Sequence, residues 1–278
     1  MPAIESAVTM DPTPVTMPAL RVFKQTGRPI VAVTAYDYTL ATIAEAAGVD
    51  ILLVGDSLGM VVQGHETPLP VTLEQMIYHT AAVRRAARHA LVVLDLPFGS
   101  YQTSPQRAFD AAARALAESG ADAVKLEGGC VMADTIAFLV QRGIPVLGHV
   151  GMTPQSVRRF GGFRVQGRGE AAALAVQEDA RAVAQAGADA VVLECVPQSL
   201  AARISAELPI PTIGIGAGAA CDGQVLVLHD LLGLYPGVQP RFVKRYVHGA
   251  AVLGAGVGEF AREVRERRFP APEHAFGD

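Results

Sequence analysis

Asp50-Ile51-Leu52-Leu53-Val54-Gly55-Asp56-Ser57-Leu58-Gly59-Met60 is the stretch on which the fold turns. Its apolar run has no polar alternation, so it reads as a strand buried on both faces, as in a parallel sheet. Asp56 and Ser57 follow where that strand ends, between two glycines that allow a tight turn. Alone, a Gly-Asp-Ser turn is more often a loop than a site. Repetition changes its meaning. Leu91-Val92-Val93-Leu94 ends in Asp95, Ala123-Val124-Lys125-Leu126 in Glu127, Ile144-Pro145-Val146-Leu147-Gly148 in His149, and Ala190-Val191-Val192-Leu193 in Glu194. Five such endings in chain order predict side chains converging on one end of a closed parallel barrel, the (β/α)8 (TIM) barrel, where such folds keep their active sites.

The bulk properties agree. The chain has 278 residues, and a barrel of this kind takes about 250. Half the residues are hydrophobic and 18% are charged, which suits a large core and argues against disorder. Tryptophan is absent, so Ala, Val, Leu and Ile must build that core. A net charge of -4 without a basic stripe argues against a nucleic-acid partner. Cys130, Cys195 and Cys221 are odd in number and lack metal-ligand spacing; free thiols in a reducing cytoplasm are the simpler reading. No secretory leader is recognisable, and no apolar run reaches the roughly 18 residues that cross a membrane.

Residues 1–18, with Pro12, Pro14 and Pro18, are expected to form a mobile arm, and 19–278 one catalytic barrel domain ending in a helical segment. A short helix is expected over 19–24 and the first strand over 30–34. Before the second, fourth and sixth strands a repeated element appears: Ala47-Gly48-Val49-Asp50, Ser119-Gly120-Ala121-Asp122 and Ala186-Gly187-Ala188-Asp189. Glycine stops a helix there, and the recurrence supports one repeated βα architecture. Thr72 and Gln75 have the spacing of a capping box for a helix running to about His89. Ser104-Pro105 opens the next helix. Gly161 and Gly162 lie among Arg158, Arg159, Arg164 and Arg168 in a long segment that suggests a lid or an anion-contacting loop. The seventh strand is placed at 211–213, before the turn Gly214-Ile215-Gly216-Ala217-Gly218, which is a weak match to a phosphate cradle. The eighth is placed at 224–228, before His229-Asp230. Residues 242–268 are expected to be mostly helical, interrupted by Gly254, Gly256 and Gly258, and to pack on the barrel or on a neighbouring subunit.

The ring supplies chemistry. Lys125 and Glu127 are two apart on one strand, so they share a face, and charges there must be paired or functional. Asp56, Asp95 and Glu127, without a matching cysteine or histidine cluster, favour a hard cation such as Mg2+. A 2-keto acid would complete its shell, and the metal would act as a Lewis acid on the enolate formed when a proton leaves C3. Lys125 would pair with the substrate's negative charge. Glu194 is the candidate general base. His149 is either a satisfied core group or a further active-site residue. The residues thus argue for metal-assisted proton abstraction beside a carbonyl and do not name the electrophile.

Here the chain resembles the ketopantoate hydroxymethyltransferase (3-methyl-2-oxobutanoate hydroxymethyltransferase) family, from Pro18 to about Phe269. The matching stretches are Thr34-Ala35-Tyr36-Asp37, residues 54–60, Asp95-Leu96-Pro97-Phe98-Gly99-Ser100-Tyr101, Val124-Lys125-Leu126-Glu127-Gly128-Gly129, Gly148-His149-Val150-Gly151-Met152-Thr153-Pro154-Gln155, Leu193-Glu194, residues 213–218, and His229-Asp230-Leu231-Leu232-Gly233. The resemblance implies a Mg2+-dependent barrel enzyme of pantothenate biosynthesis. It implies one-carbon transfer from 5,10-methylenetetrahydrofolate to 3-methyl-2-oxobutanoate, giving 2-dehydropantoate. It further implies Asp56, Asp95 and Glu127 at the metal, Asp56, Ser57, Asp95 and Lys125 on the substrate, Glu194 as proton acceptor, and Gly214 to Gly218 beside the folate pocket. A cytoplasmic homo-oligomer, commonly a decamer, is expected. The rival readings are a lyase or mutase of the phosphoenolpyruvate-binding barrel type, which would lack folate-dependent turnover, and a keto-acid binding protein, which would not exchange the C3 proton.

Overall fold

The computed structural model describes residues 13–237 and 239–277. Eight parallel strands close into a barrel in sequence order: β1 Ile30–Thr34, β2 Ile51–Val54, β3 Leu91–Asp95, β4 Ala123–Glu127, β5 Val146–Gly151, β6 Ala190–Glu194, β7 Thr212–Ile215 and β8 Gly223–Leu226. The expected (β/α)8 barrel is thus the observed fold. Helices α1 Met17–Thr26, α2 Tyr38–Ala46, α3 Leu58–Val61, α4 Leu73–Ala86, α5 Pro105–Ser119, α6 Ala133–Val140, α7 Val157–Phe160, α8 Glu170–Gln185 and α9 Gln198–Glu207 precede β1 or connect successive strands, except β7 and β8, which follow each other with no helix between them. This unit ends at Val227.

The interior follows the period of two that side chains obey along a strand. Ile30 and Ala32, Ile51 and Leu53, Leu91 and Val93, Ala123, Leu147, Ala190 and Val192, Ile213 and Val225 form one buried cluster. Val15, Met17 and Leu20 belong to the same cluster. Two residues further along these rows stand Asp95, Lys125, His149 and Glu194, with Glu127 two beyond Lys125. One end of the barrel is therefore apolar and the other ionisable. Of the expected mobile arm, residues 1–12 lie outside the described residues. Val15 and Met17 depart from that expectation, because their side chains fill the apolar end and are buried there.

The repeated aspartates have a structural task. Asp50 accepts the backbone N–H of Val31 at 2.9 Å, Asp122 that of Val92 at 2.9 Å, and Asp189 that of Val146 at 3.3 Å. Asp222, outside the repeat seen in the sequence, does the same for Thr212 at 2.8 Å. Each even-numbered strand is thus fastened to the preceding odd one at its N-terminal end. Arg28, Arg84, Arg21 and Lys24 pair with Asp50, Asp122, Asp189 and Asp222 respectively.

Local differences have local causes. The capping box of Thr72 and Gln75 is present, but α4 ends at Ala86 rather than near His89. The Glu45 carboxylate draws the chain out of the helix by accepting the N–H groups of Arg88, His89 and Ala90. Strand β7 starts one residue later and ends two residues later than expected, because Leu193 and Glu194 pair with Gly214 and Ile215. Strand β8 stops at Leu226, the residue paired with Val33. His229 and Asp230 therefore lie in the short helix α10, Leu228–Leu231, and not at a strand end. The residues from Leu228 onward form a second compact unit, in which α11, Gly249–Arg265, runs unbroken through Gly254, Gly256 and Gly258. No described helix is long and apolar enough to cross a membrane.

Replacing Asp50 with Ala should remove a charge-assisted hydrogen bond and cost about 1.5–3 kcal/mol of stability. A lower denaturant midpoint at unchanged slope would record it; an unchanged midpoint would deny the aspartate this fastening role.

Candidate active site

Strand register places the ionisable residues side by side. Asp95 of β3 stands opposite Lys125 of β4, and Glu127 of β4 opposite His149 of β5. Lys125 Nζ donates to both oxygens of Asp95 at 2.7 Å. His149 lies between two carboxylates, with Nδ1 3.6 Å from Glu127 Oε1 and Nε2 3.2 Å from Glu194 Oε2. The imidazole side chain is 2% exposed and that of Glu194 14%, so Glu194 is the member of this group that solvent and ligands reach. Asp56 follows β2 and is buried, and its backbone N–H points to Asp95 Oδ2 at 3.4 Å. Ser57 shares a 2.8 Å hydrogen bond with the Tyr36 hydroxyl. The structure thus brings all seven residues marked in the sequence to the C-terminal end of the barrel.

Two backbone features aim Glu194. Gly151 has φ 91°, and a side chain there would collide with the Glu194 carbonyl; glycine lets β5 and β6 approach. Cys195 follows with φ 49°, unusual for a residue with a side chain. Its N–H donates to the Ile215 carbonyl at 2.8 Å and its carbonyl accepts from Gln166 at 2.9 Å. The chain leaves the barrel at Cys195, while Glu194 keeps its place in the inward row.

The cluster holds Asp56, Asp95, Glu127 and Glu194 against Lys125 and His149. Burial, Asp95 and Glu127 push the Asp56 carboxyl well above the usual range, against the pull of Lys125 and Gln155. Burial disfavours the Lys125 cation, yet the surrounding carboxylates, Asp95 foremost, outweigh it and raise its pKa. Burial and Lys125 likewise disfavour the His149 imidazolium, but Glu127 and Glu194 prevail and hold it up at about 9. Burial, with Glu194, pushes the Cys195 thiol up to about 12, so it is no nucleophile at neutral pH.

The excess of carboxylates suits a hard cation. Asp56 and Asp95 are adjacent, and the raised Asp56 marks negative charge that a cation would offset. Among the described residues, however, no three Asp, Glu, His or Cys side chains gather into a metal cage. Both Asp95 oxygens face Lys125, and Glu127 Oε2 accepts the Gln155 N–H at 3.0 Å.

Gln155 and Tyr101 are the residues to which sequence reasoning gave no role. The Gln155 amide reaches Asp56 from 99 positions away, and only closure of the barrel reveals that contact. The arginines at 158, 159, 164 and 168 are exposed and stay outside the ring; their segment is anchored where Gln166 donates to Cys195. The glycines at 214 and 218 make room for protein. A side chain at Gly214 would meet Cys221, and one at Gly218 would meet Gln198.

A family model described as ketopantoate hydroxymethyltransferase matches residues 14–272. Similar proteins named 3-methyl-2-oxobutanoate hydroxymethyltransferase occur in Magnetococcus marinus (61% identical, covering 94% of this chain and 98% of that protein) and Moorella thermoacetica (55%, covering 94% and 97%). Another from Thiobacillus denitrificans is 54% identical and covers 95% and 100%. A solved putative phosphonomutase from Burkholderia cenocepacia shares the fold with a TM-score of 0.65 at 18% identity, covering 87% of this chain and 99% of that one. A phosphonopyruvate hydrolase does so with 0.62 at 14% identity, covering 95% and 92%.

Breaking the buried ion pair from one side should be severe. Lys125→Met leaves Asp95 with no counter-ion and should cost about 3–5 kcal/mol, read as a large fall in thermal midpoint. A midpoint within a degree or two of the parent would mean that Asp95 does not need the ammonium.

Proposed function

The chain belongs to the ketopantoate hydroxymethyltransferase family, and from that premise we propose that it transfers a hydroxymethyl group to 3-methyl-2-oxobutanoate, giving 2-dehydropantoate for pantothenate biosynthesis. The proposed donor is 5,10-methylenetetrahydrofolate and the proposed cofactor Mg2+. One proton leaves C3 of the keto acid, the donor's methylene carbon takes its place as both its bonds to nitrogen break, water supplies the hydroxyl group, and tetrahydrofolate leaves with the C3 proton and the remaining water proton on its two nitrogens. The observation that carries the reading is the row Glu127–His149–Glu194 beside the group Asp56, Asp95 and Lys125.

Asp56, Asp95 and Glu127 would hold Mg2+. When bound, the ion supplies Lewis acidity toward the oxygens of the keto acid. Lys125 provides a fixed positive charge that favours an anionic substrate and the negative charge that grows when C3 loses its proton. Ser57, held by Tyr36, contributes a hydroxyl beside Asp56 for substrate contact. Glu194 takes the C3 proton. His149 lies against its Oε2 and orients the carboxylate, which leaves Glu194 the base and His149 its support. The arginine-bearing segment at 158–168 would limit water at the mouth, where it would otherwise divert the activated one-carbon unit.

Family membership also supports a cytoplasmic homo-oligomer, with a decamer as the proposed form. In α11 the exposed Leu253, Val257, Phe260 and Val264 recur at helical spacing, an apolar stripe suited to self-association.

Glu194→Gln keeps size and hydrogen bonding but cannot accept the proton. It should lower kcat by about 10²- to 10⁴-fold with keto-acid KM nearly unchanged, as steady-state kinetics would show; full activity would remove Glu194 from the reaction. Chelation of divalent ions should abolish turnover of the parent enzyme and Mg2+ should restore it. Turnover that survives exhaustive chelation would contradict the metal assignment.

A further inference from the structure

Gln155 is a neutral side chain buried among ionisable ones, and its amide has no unused hydrogen-bonding capacity. Nε2 donates to Asp56 Oδ2 at 2.9 Å and to the Leu96 carbonyl at 2.9 Å. Oε1 accepts from the Tyr101 hydroxyl at 2.7 Å and from Gln102 Nε2 at 3.0 Å. A carbonyl can only accept and an amide nitrogen can only donate, so these neighbours fix which way the amide faces. Tyr101 is itself held, because its oxygen accepts the Glu127 N–H at 3.0 Å.

This arrangement sorts the carboxylate oxygens. Both oxygens of Asp95 are occupied by Lys125, and Asp56 Oδ2 is occupied by Gln155. Asp56 Oδ1 accepts no hydrogen bond among the described residues. Of the four oxygens on these two carboxylates, it is the one that accepts no hydrogen bond, so both its lone pairs are available. On the other side, the backbone N–H of Gln155 holds Glu127 Oε2, which turns Glu127 Oε1 toward His149. One residue therefore sets the orientation of a carboxylate in each half of the site.

We propose that Gln155, locked in place by Tyr101 and Gln102, is a positioning residue that presents Asp56 Oδ1 to the divalent cation and keto acid. The assignment rests on the function proposed above for this site. A glutamate in its place would set an acceptor against Asp56 Oδ2 and the Leu96 carbonyl. An alanine would leave both without a donor, free Asp56 to rotate, and release Tyr101. Phenylalanine at position 101 would keep the Gln155 amide but remove one of the two groups that orient it.

The test measures Mn2+ affinity of the full-length enzyme by electron paramagnetic resonance, with keto-acid KM and kcat alongside. Gln155→Ala and Gln155→Glu should weaken Mn2+ binding about 10- to 100-fold and raise keto-acid KM in the folded protein. Tyr101→Phe should act in the same direction with a smaller effect, and it decides the matter where the Gln155 variants do not fold. Folded variants with parental Mn2+ affinity and parental keto-acid KM, differing only in thermal midpoint, would reduce Gln155 to a structural hydrogen bond and overturn the assignment. A parent enzyme that binds neither Mn2+ nor keto acid would instead overturn the functional reading on which it rests.

Discussion

The constraint on which this structure depends is the two-residue period of side chains along strands that close on themselves. Once eight strands close, every second residue is committed to the interior. Apolar residues occupy the first inward positions of each row, and Asp95, Lys125, Glu127, His149 and Glu194 take the last ones. A one-residue slip of any of β3 to β6 would turn its ionisable residues outward and outer residues inward. The aspartates at 50, 122, 189 and 222 guard against that slip. They tie neighbouring strands together at the apolar end, far from the chemistry.

Concentrating charge in a buried mouth is costly unless each group finds a partner. The partners here divide the site into two halves. In one, Lys125 neutralises Asp95 and stands near Asp56. In the other, His149 separates Glu127 from Glu194. Gln155 spans the two without adding charge, through its amide to Asp56 and its backbone N–H to Glu127. The negative excess that remains is what a divalent cation would balance. Preorganisation of this kind places fixed charges where charge develops during reaction, so little reorganisation is left for the reacting step.

Much of this was legible in the sequence. Runs of Val, Leu, Ile and Ala ending in Asp95, Glu127, His149 and Glu194 gave both the barrel and the row of ionisable groups, because strand burial and side-chain alternation are local properties. The Gly-X-Asp repeat was visible too, yet its function was not, since each aspartate acts on the preceding strand across the sheet. Asp222 was hidden because Cys221 and Gly223 flank it in place of the repeat. The Gln155 hub was illegible for a related reason: its partners at 56, 96, 101, 102 and 127 meet only when β2 to β5 are side by side. The apolar run of the eighth strand continues through Val227 and Leu228, whereas its pairing with β1 ends at Leu226. In α11 three glycines suggested breaks, but a helical backbone accepts glycine at a modest loss of stability.

Under the proposed function, this barrel mouth would remove the C3 proton of the keto acid in a step that needs a divalent cation. The most direct measurement is loss of deuterium from C3-labelled 3-methyl-2-oxobutanoate, followed by proton NMR with the parent enzyme and Mg2+, with and without 5,10-methylenetetrahydrofolate. Exchange that requires Mg2+ even without the folate, and 2-dehydropantoate only when the folate is added, is the predicted result. Retention of the deuterium together with absence of product would contradict it, and would leave a barrel whose charged mouth serves another substrate.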